Sequence, residues 1–275
     1  MLGEALIIIG FFFLLLIIII MLGEERMRWE LRNKVGKLFL LTKDVSREKF
    51  TYDQLKGLPQ PVQKYFKHVL RKGQLYVNYA RLKYSGKFRL GSKRGWMDIK
   101  GEEYFTTGKV GLVWLGRTRI FSALDSYIDG VGQLRSKLLS VVKVADKRGE
   151  KIDRAEILRW LAEAPWCPVA LLPSDKLKWE AIDKNSAKVI LFEKGWKVEG
   201  VYYFNNKGEI TEFRAERYKE DSPEEWIGRY KNYKKVKTMK IPFDVEVAWE
   251  FDAGKFTYAR FCLLEIRYNS PELFG

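Results

Sequence analysis

The sequence predicts a mainly β (α+β) protein: a strongly curved antiparallel sheet or half-barrel with a helical lid, preceded by one N-terminal transmembrane helix. Three observations predict this class. Residues 5–22 carry no charged or hydrogen-bonding side chain, runs of alternating polar and apolar residues begin at residue 79, and one uncharged helical passage interrupts those runs. The sequence lacks the alternating β–α pattern of a parallel sheet, which disfavours a doubly wound nucleotide-binding fold.

The apolar run at residues 5–22 has the length of a membrane span. As a helix with a rise of about 1.5 Å per residue it covers roughly 27 Å, close to the thickness of the hydrocarbon core. The sequence has no basic stretch before the run and no small-residue cleavage site after it, so an uncleaved anchor is favoured over a signal peptide. The basic residues follow the run, and the positive-inside rule therefore predicts a cell-membrane protein with its domain on the cytoplasmic side. The basic residues expected at the membrane surface are Arg26, Arg28, Arg32, Lys34 and Lys37.

Three parts of the chain are expected: a transmembrane anchor at 1–23, a juxtamembrane helix and linker at 24–57, and a single antiparallel β-rich domain at 58–275. Within the third part, residues 58–70 read as a helix, because Pro61 suits a first helical turn and apolar residues follow at helical spacing.

Alternation with a period of two dominates the rest of the chain. It starts at residue 79 and continues through further strands with glycine-bearing turns up to about residue 149. Seven more alternating runs begin at Leu177, separated by turns of two to five residues, which predicts an antiparallel meander.

The interrupting passage, Glu156 to Ser174, predicts a helix packed on the sheet. Asp153 and Glu156 have capping-box spacing, and Pro165 ends the helix because proline offers no amide donor. Residues 164–173 carry no charge, so the passage is buried. It forms either a plain lid or one wall of an apolar ligand pocket. The pocket candidates are Trp160, Trp166, Leu171, Leu172, Trp114 and Trp249.

The net charge of +15 is concentrated near the membrane. Residues 1–100 hold 20 Lys and Arg against 8 Asp and Glu, whereas residues 101–275 hold 30 against 27. A basic surface beside a bilayer attracts anionic head groups, with each nearby Lys or Arg worth roughly 1 kcal/mol. Nucleic acid is disfavoured as a partner, since the chain has no nucleic-acid-binding motif.

Known catalytic motifs are missing from the sequence, and no metal or cofactor is predicted. One histidine, His68, and two cysteines, Cys167 and Cys262, are too few for a zinc or haem constellation, and pairing of the cysteines is left open. Carboxylates in or beside apolar segments are the remaining candidates for acid–base chemistry, and structural ion pairs would explain them equally well. These carboxylates are Asp125, Asp129, Glu163 and Glu216.

Several strings, read in order, resemble a family of uncharacterised prokaryotic proteins known only as a domain of unknown function. They include LPQPVQKYFKHVL, LRWLAEAPWCPVALLPS and YKNYKKVKTMKIPFDVEVAWE, within a resemblance that runs from about Leu58 to Tyr268. The order of elements also looks like the half-barrel with a helical lid of bacterial lipoprotein carriers, although no shared motif supports that likeness. The resemblance implies homology and assigns no site residue.

The favoured function is non-enzymatic binding of a lipid-like or other apolar ligand near the bilayer. One alternative is a membrane-tethered hydrolase, which requires two of the four candidate carboxylates to meet in a cleft without each being paired to an arginine. Another is a protein-interaction domain that docks a partner through the basic face of the first strand. That face consists of Arg81, Lys83, Lys87 and Arg89.

Overall fold

The computed structural model describes residues 2–42, 46–219, 222–270 and 272–274. Three α-helices are present in them: α1 (Leu2–Leu40), α2 (Gln60–Val69) and α3 (Glu150–Glu163). Short 3-10 helices occupy Tyr52–Leu55, Ala164–Trp166 and Pro168–Leu171. The strands are β1 (Tyr79–Phe88), β2 (Met97–Thr106), β3 (Gly111–Arg117), β4 (Phe121–Ile128), β5 (Val131–Leu138), β6 (Val142–Lys147), β7 (Leu177–Ala181), β8 (Ser186–Glu193), β9 (Trp196–Phe204), β10 (Ile210–Lys219), β11 (Ser222–Val236), β12 (Met239–Phe251) and β13 (Gly254–Tyr268). The predictions of a mainly β fold and of an N-terminal apolar helix are confirmed.

The thirteen strands of the described residues form one antiparallel sheet in the order β6-β5-β4-β3-β2-β1-β13-β12-β11-β10-β9-β8-β7. Two meanders, β1–β6 and β7–β13, join where β1 pairs with β13, for example at Ala80 and Tyr268. The sheet is less strongly curled than the predicted half-barrel, and its edge strands β6 and β7 do not pair, so it remains open. Helix α3 contacts β5 of the first meander and β9 and β10 of the second, and so bridges the two meanders.

Helix α1 has an exposed apolar half and a buried half. One 18-residue window of it has a mean hydropathy of 3.5 and none of its residues buried, and by length and composition it could cross a membrane. Such an N-terminal helix serves as an anchor or as a signal sequence, and the side of the membrane is undetermined. The second half packs on the face of the sheet opposite α3, through Met27, Leu31, Val35 and Leu38 against Tyr104, Val113, Leu115 and Leu124. This half of α1 is therefore part of the fold.

The other face of the sheet carries the main core, which takes in α2, α3 and the 3-10 helices. Phe50 and Leu55 belong to this core although they precede the expected domain start at residue 58. Part of the expected linker, residues 43–45, lies outside the described residues. Cys167 is buried and Cys262 is exposed, and neither is in a disulfide.

Helix α3 differs from its predicted start. It begins at Glu150 after Gly149, so the capping box expected at Asp153 does not form. The Asp153 carboxylate instead accepts a hydrogen bond from the Gly132 amide at 2.6 Å, which ties the helix to β5. The helix ends at Glu163, before Pro165, and the uncharged passage beyond it is buried.

Candidate ligand cavity

A cavity of about 470 Å³ lies between the sheet and α3. Strands from both meanders contribute to its wall, and most of the wall is apolar or aromatic. Cavities that bind small molecules typically measure roughly 300–1,000 Å³ and have such a lining with a few polar groups. The apolar lining consists of Tyr84, Phe88, Leu90, Ile99, Trp114, Phe121, Ala123, Leu134, Val144, Ala162, Trp166, Trp226, Tyr230, Val245, Val247, Tyr258, Ala259 and Phe261.

Strand β4 separates the cavity from α1, because successive side chains of a strand point to opposite faces. Ala123 and Asp125 line the cavity. Leu124 packs on α1, and Ser126 accepts a hydrogen bond from the Lys34 ammonium at 2.8 Å. Lys34 is therefore held against the sheet, unlike the exposed arginines earlier in α1.

One end of the cavity has a charged floor centred on Arg159. Its guanidinium bonds Glu163 at 2.8 Å and Asp125 at 3.2 Å and lies 3.8 Å from Glu156. Glu156 is also paired with Arg217 at 3.2 Å. Glu156, Arg159 and Glu163 are spaced three and four residues apart, so they lie on one face of α3. The helix thus presents its charged face, rather than an apolar one, to the hollow.

Burial controls the ionisation of this floor. It raises the pKa of Asp125 to about 6 and that of Glu156 to about 7, against the opposing effect of Arg159 and Arg217. Burial lowers the pKa of Arg159, but the surrounding carboxylates, Glu163 first, outweigh burial and raise that pKa well above its ordinary value. The guanidinium therefore stays charged, whereas the pKa values of Asp125 and Glu156 lie near neutral pH.

Glu103 adds a fourth carboxyl beneath the floor. It is fully buried and accepts a hydrogen bond from the Tyr84 hydroxyl at 3.3 Å. The pKa of Glu103 is raised well above its ordinary value, first by burial and then by the charge of Glu163 and a hydrogen bond with it. The Oε1 atom of Glu103 and the Oε2 atom of Glu163 are buried and have no hydrogen-bond partner among the described residues.

Aromatic rings cover both guanidinium groups of the floor. Arg159 lies 4.7 Å from the centre of the Trp114 ring, and Arg217 lies 4.7 Å from that of Trp226. Stacking of this kind stabilises a desolvated cation by about 2 kcal/mol. The floor is thus a fixed, ring-covered ion cluster. Among the described residues no group of three His, Cys, Asp or Glu side chains is arranged to hold a metal ion.

The pocket candidates from the sequence lie in different places. Trp114 and Trp166 line the cavity. Trp160 lies deeper, stacked on Phe105, and donates from Nε1 to the Thr106 carbonyl at 2.7 Å. The remaining three, Leu171, Leu172 and Trp249, are buried core residues outside the cavity wall.

The four candidate carboxylates separate into two groups. Asp125 and Glu163 meet at the cavity, and both are bonded to Arg159. Asp129 is exposed and paired with Lys194 at 2.7 Å, and Glu216 lines a separate surface depression. The pairing with arginine is the arrangement that argues against acid–base hydrolysis by Asp125 and Glu163.

Sequence reasoning missed the largest part of the floor, namely Glu103, Glu156, Arg159 and Arg217. The spacing of Glu156, Arg159 and Glu163 along α3 was an available signal. Nothing in the sequence placed Glu103 or Arg217 opposite that helix, because β2 and β10 lie far from it along the chain.

The basic face expected on β1 is partly covered. The Arg81 guanidinium donates to the Leu273 carbonyl at 2.9 Å, and Lys83 lies 4.4 Å from the centre of the Phe274 ring. Lys87 is paired with Asp98 at 2.6 Å, and Arg89 lies over Trp96. This surface therefore presents few uncommitted charges to a partner protein.

Fold and cavity together define a class: a mainly β protein with an N-terminal apolar helix and an aromatic cavity over a buried ion cluster. The chain belongs to the family of unknown function DUF6544, whose model matches residues 48–261. No curated protein matches the sequence.

Solved structures to which the chain is similar include proteins from three bacteria. A LolA superfamily protein from Nitrosomonas europaea has 7% sequence identity and a TM-score of 0.43, covering 76% of this chain and 92% of that one. A DUF1329 family protein from Desulfovibrio piger has 11% identity and a TM-score of 0.41, covering 70% and 86%. A domain from Vibrio parahaemolyticus, described in terms of outer membrane lipoprotein sorting, has 10% identity and a TM-score of 0.41, covering 70% and 86%.

Proposed function

We propose that this protein is a membrane-anchored, non-enzymatic binder of a lipid-like or other apolar ligand, which it holds in the cavity between the sheet and α3. The observation that supports this proposal is the cavity itself, which has a volume of about 470 Å³ and is lined by aromatic side chains. Interiors of proteins are normally packed to the density of organic crystals, and a hollow of this size forgoes many dispersion contacts. An apolar ligand restores them.

The membrane attachment is supported by the continuity of α1. The helix runs unbroken from Leu2 to Leu40, and its second half is buried on the sheet from Met27 onward. The folded domain therefore holds the apolar run directly, with no flexible linker between them. Arg26, Arg28 and Arg32 remain exposed just after the run. By the positive-inside rule these arginines favour the cytoplasmic side.

Native mass spectrometry of the full chain tests ligand binding. The protein, purified from its host in mild detergent, is expected to carry a discrete lipid-sized adduct. Replacing Ala123→Trp in the cavity wall fills the hollow and should remove the adduct. Ala181→Trp, at an exposed position of the edge strand β7, is the matched control and should retain it. A wild-type protein that carries no adduct, and takes up none from lipid vesicles, overturns the proposal.

A further inference from the structure

Exposed apolar side chains cluster at one end of the sheet, in and beside three hairpin turns of the first meander. The turns join β1 to β2, β3 to β4 and β5 to β6, and the Leu139 amide donates to the Ile120 carbonyl at 2.7 Å to connect two of them. Side chains in this set, here called the apolar rim, are 37% to 58% exposed. The apolar rim consists of Leu90, Ile120, Leu139, Val141, Val142 and Val144.

Helix α1 leaves the domain at the same end. A Cβ atom at Gly23 would lie 2.8 Å from the Ser140 carbonyl oxygen, so the helix touches the β5–β6 turn where its apolar run has just finished. Further along α1, Leu38 lies at the opposite end of the sheet, against Gly111 at the start of β3. The helix thus runs along the sheet away from the rim. Its apolar run, which precedes Gly23, projects beyond the rim.

The cavity reaches the surface at the rim. Leu90 and Val144 are each 55% exposed and also line the cavity. Thr118 and Phe121, on either side of the Ile120 turn, line it as well. The apolar wall of the cavity is therefore continuous with the apolar rim.

Basic side chains occupy the same turns. Lys93 and Arg94 lie in the β1–β2 turn, Arg119 in the β3–β4 turn and Lys143 at the start of β6, and all four are exposed. Apolar residues flanked by Lys and Arg are the composition of a surface that lies at a lipid interface, with the apolar groups among the acyl chains and the cations at the phosphates. Each such cation adds roughly 1 kcal/mol of attraction to an anionic leaflet.

We propose that the apolar rim is immersed in the surface of the bilayer that α1 enters, so that the mouth of the cavity opens onto anionic lipid. This inference deepens the proposed function and rests on its anchor, while not requiring that the cavity be occupied. An apolar ligand then passes between bilayer and cavity without crossing water. The covering partner is the membrane rather than a second protein, because Gly23 fixes the rim beside the end of the apolar run.

Depth measurements on the full chain in vesicles test the inference. In a Cys262→Ser background, where the remaining Cys167 is buried, Val142→Cys and Ile182→Cys each carry an environment-sensitive fluorophore. Ile182 is 50% exposed, in the β7–β8 turn, and is the matched control. We expect blue-shifted emission and loss of fluorescence with spin-labelled phospholipid at Val142, and neither at Ile182. Equal, water-like emission at both positions overturns the inference.

A second variant separates this inference from ligand binding. Val142→Asp with Ile120→Asp changes two exposed side chains of the rim that do not line the cavity, which should leave the fold intact. We expect slower uptake of lipid from anionic vesicles, with the wild-type amount bound when lipid is supplied in detergent. Unchanged uptake of lipid from vesicles would contradict the inference that the rim is immersed in the bilayer. If the fluorophore at Val142 is quenched but the protein binds no lipid, the inference that the rim is immersed stands and only the proposed ligand binding is refuted.

Discussion

One face of the sheet is filled in one region and hollow in another, although both regions are rich in aromatic residues. Over β7–β10 the rings are in contact, with centroids 4.7 Å apart for Tyr202 and Phe213 and 5.6 Å apart for Trp179 and Tyr202. Over β1–β5 and β11–β13 the rings surround about 470 Å³ of cavity. Aromatic content therefore does not determine whether a region of the core is filled or hollow. The charged face of α3, centred on Arg159, borders the hollow region and supplies its polar lining.

The largest expected effect comes from removing the centre of the floor. Arg159→Ala leaves the carboxylates of Asp125, Glu156 and Glu163 buried without this partner, and we expect a loss of about 5 kcal/mol in the free energy of unfolding. Chemical denaturation in detergent measures it. Arg154→Ala, a half-buried arginine on the same helix, should cost about 1 kcal/mol or less. Equal losses in the two variants would show that the floor is not what holds α3 in place.

Truncating one ring in each region tests the contrast directly. Phe213→Ala, in the filled region, removes a fully buried ring and should cost about 4 kcal/mol. Phe121→Ala, in the cavity wall, removes a half-buried ring that already borders empty space and should cost about 1 kcal/mol. The same denaturation experiment compares them, and similar costs would mean that the cavity is closed in solution.

The smallest expected effect is on the pH dependence of stability. The pKa of Glu156 is raised from 4.5 to about 7 in the folded protein, so between those values the folded state binds more protons than the unfolded state. Stability therefore falls as pH rises from about 4.5 to about 7. Glu156→Gln removes this contribution, and the melting temperatures at pH 5 and pH 7.5 should approach each other.

Thermal unfolding of the full chain at the two pH values measures that change. For a domain of this size a difference of about 1 kcal/mol corresponds to roughly 2–4 °C. Asp129→Asn, which removes the exposed pair with Lys194, is the control and should leave the gap as it is in the wild type. An undiminished gap in Glu156→Gln would mean that Glu156 is ionised throughout this range.

The sequence alone identified the secondary structure because that information is local. Alternation from Tyr79 onward predicted strands on both sides of the helix at Glu156, and the uncharged run at residues 5–22 predicted an apolar helix. Local pattern also predicted the burial of residues 164–173, since an apolar segment gains free energy when it is removed from water. These features depend on neighbours within a few positions.

Tertiary structure alone decided which side chains meet at the cavity. Trp114 and Trp166 became wall residues, while Trp160 and Trp249, equally plausible from the sequence, became core. Glu103 lies close to Glu163 only because α3 packs near β2 in the fold. The physical reason is that alternation assigns a residue to a face of the sheet but does not say what lies opposite that face. That depends on strand order and on where a helix inserted between β6 and β7 comes to rest.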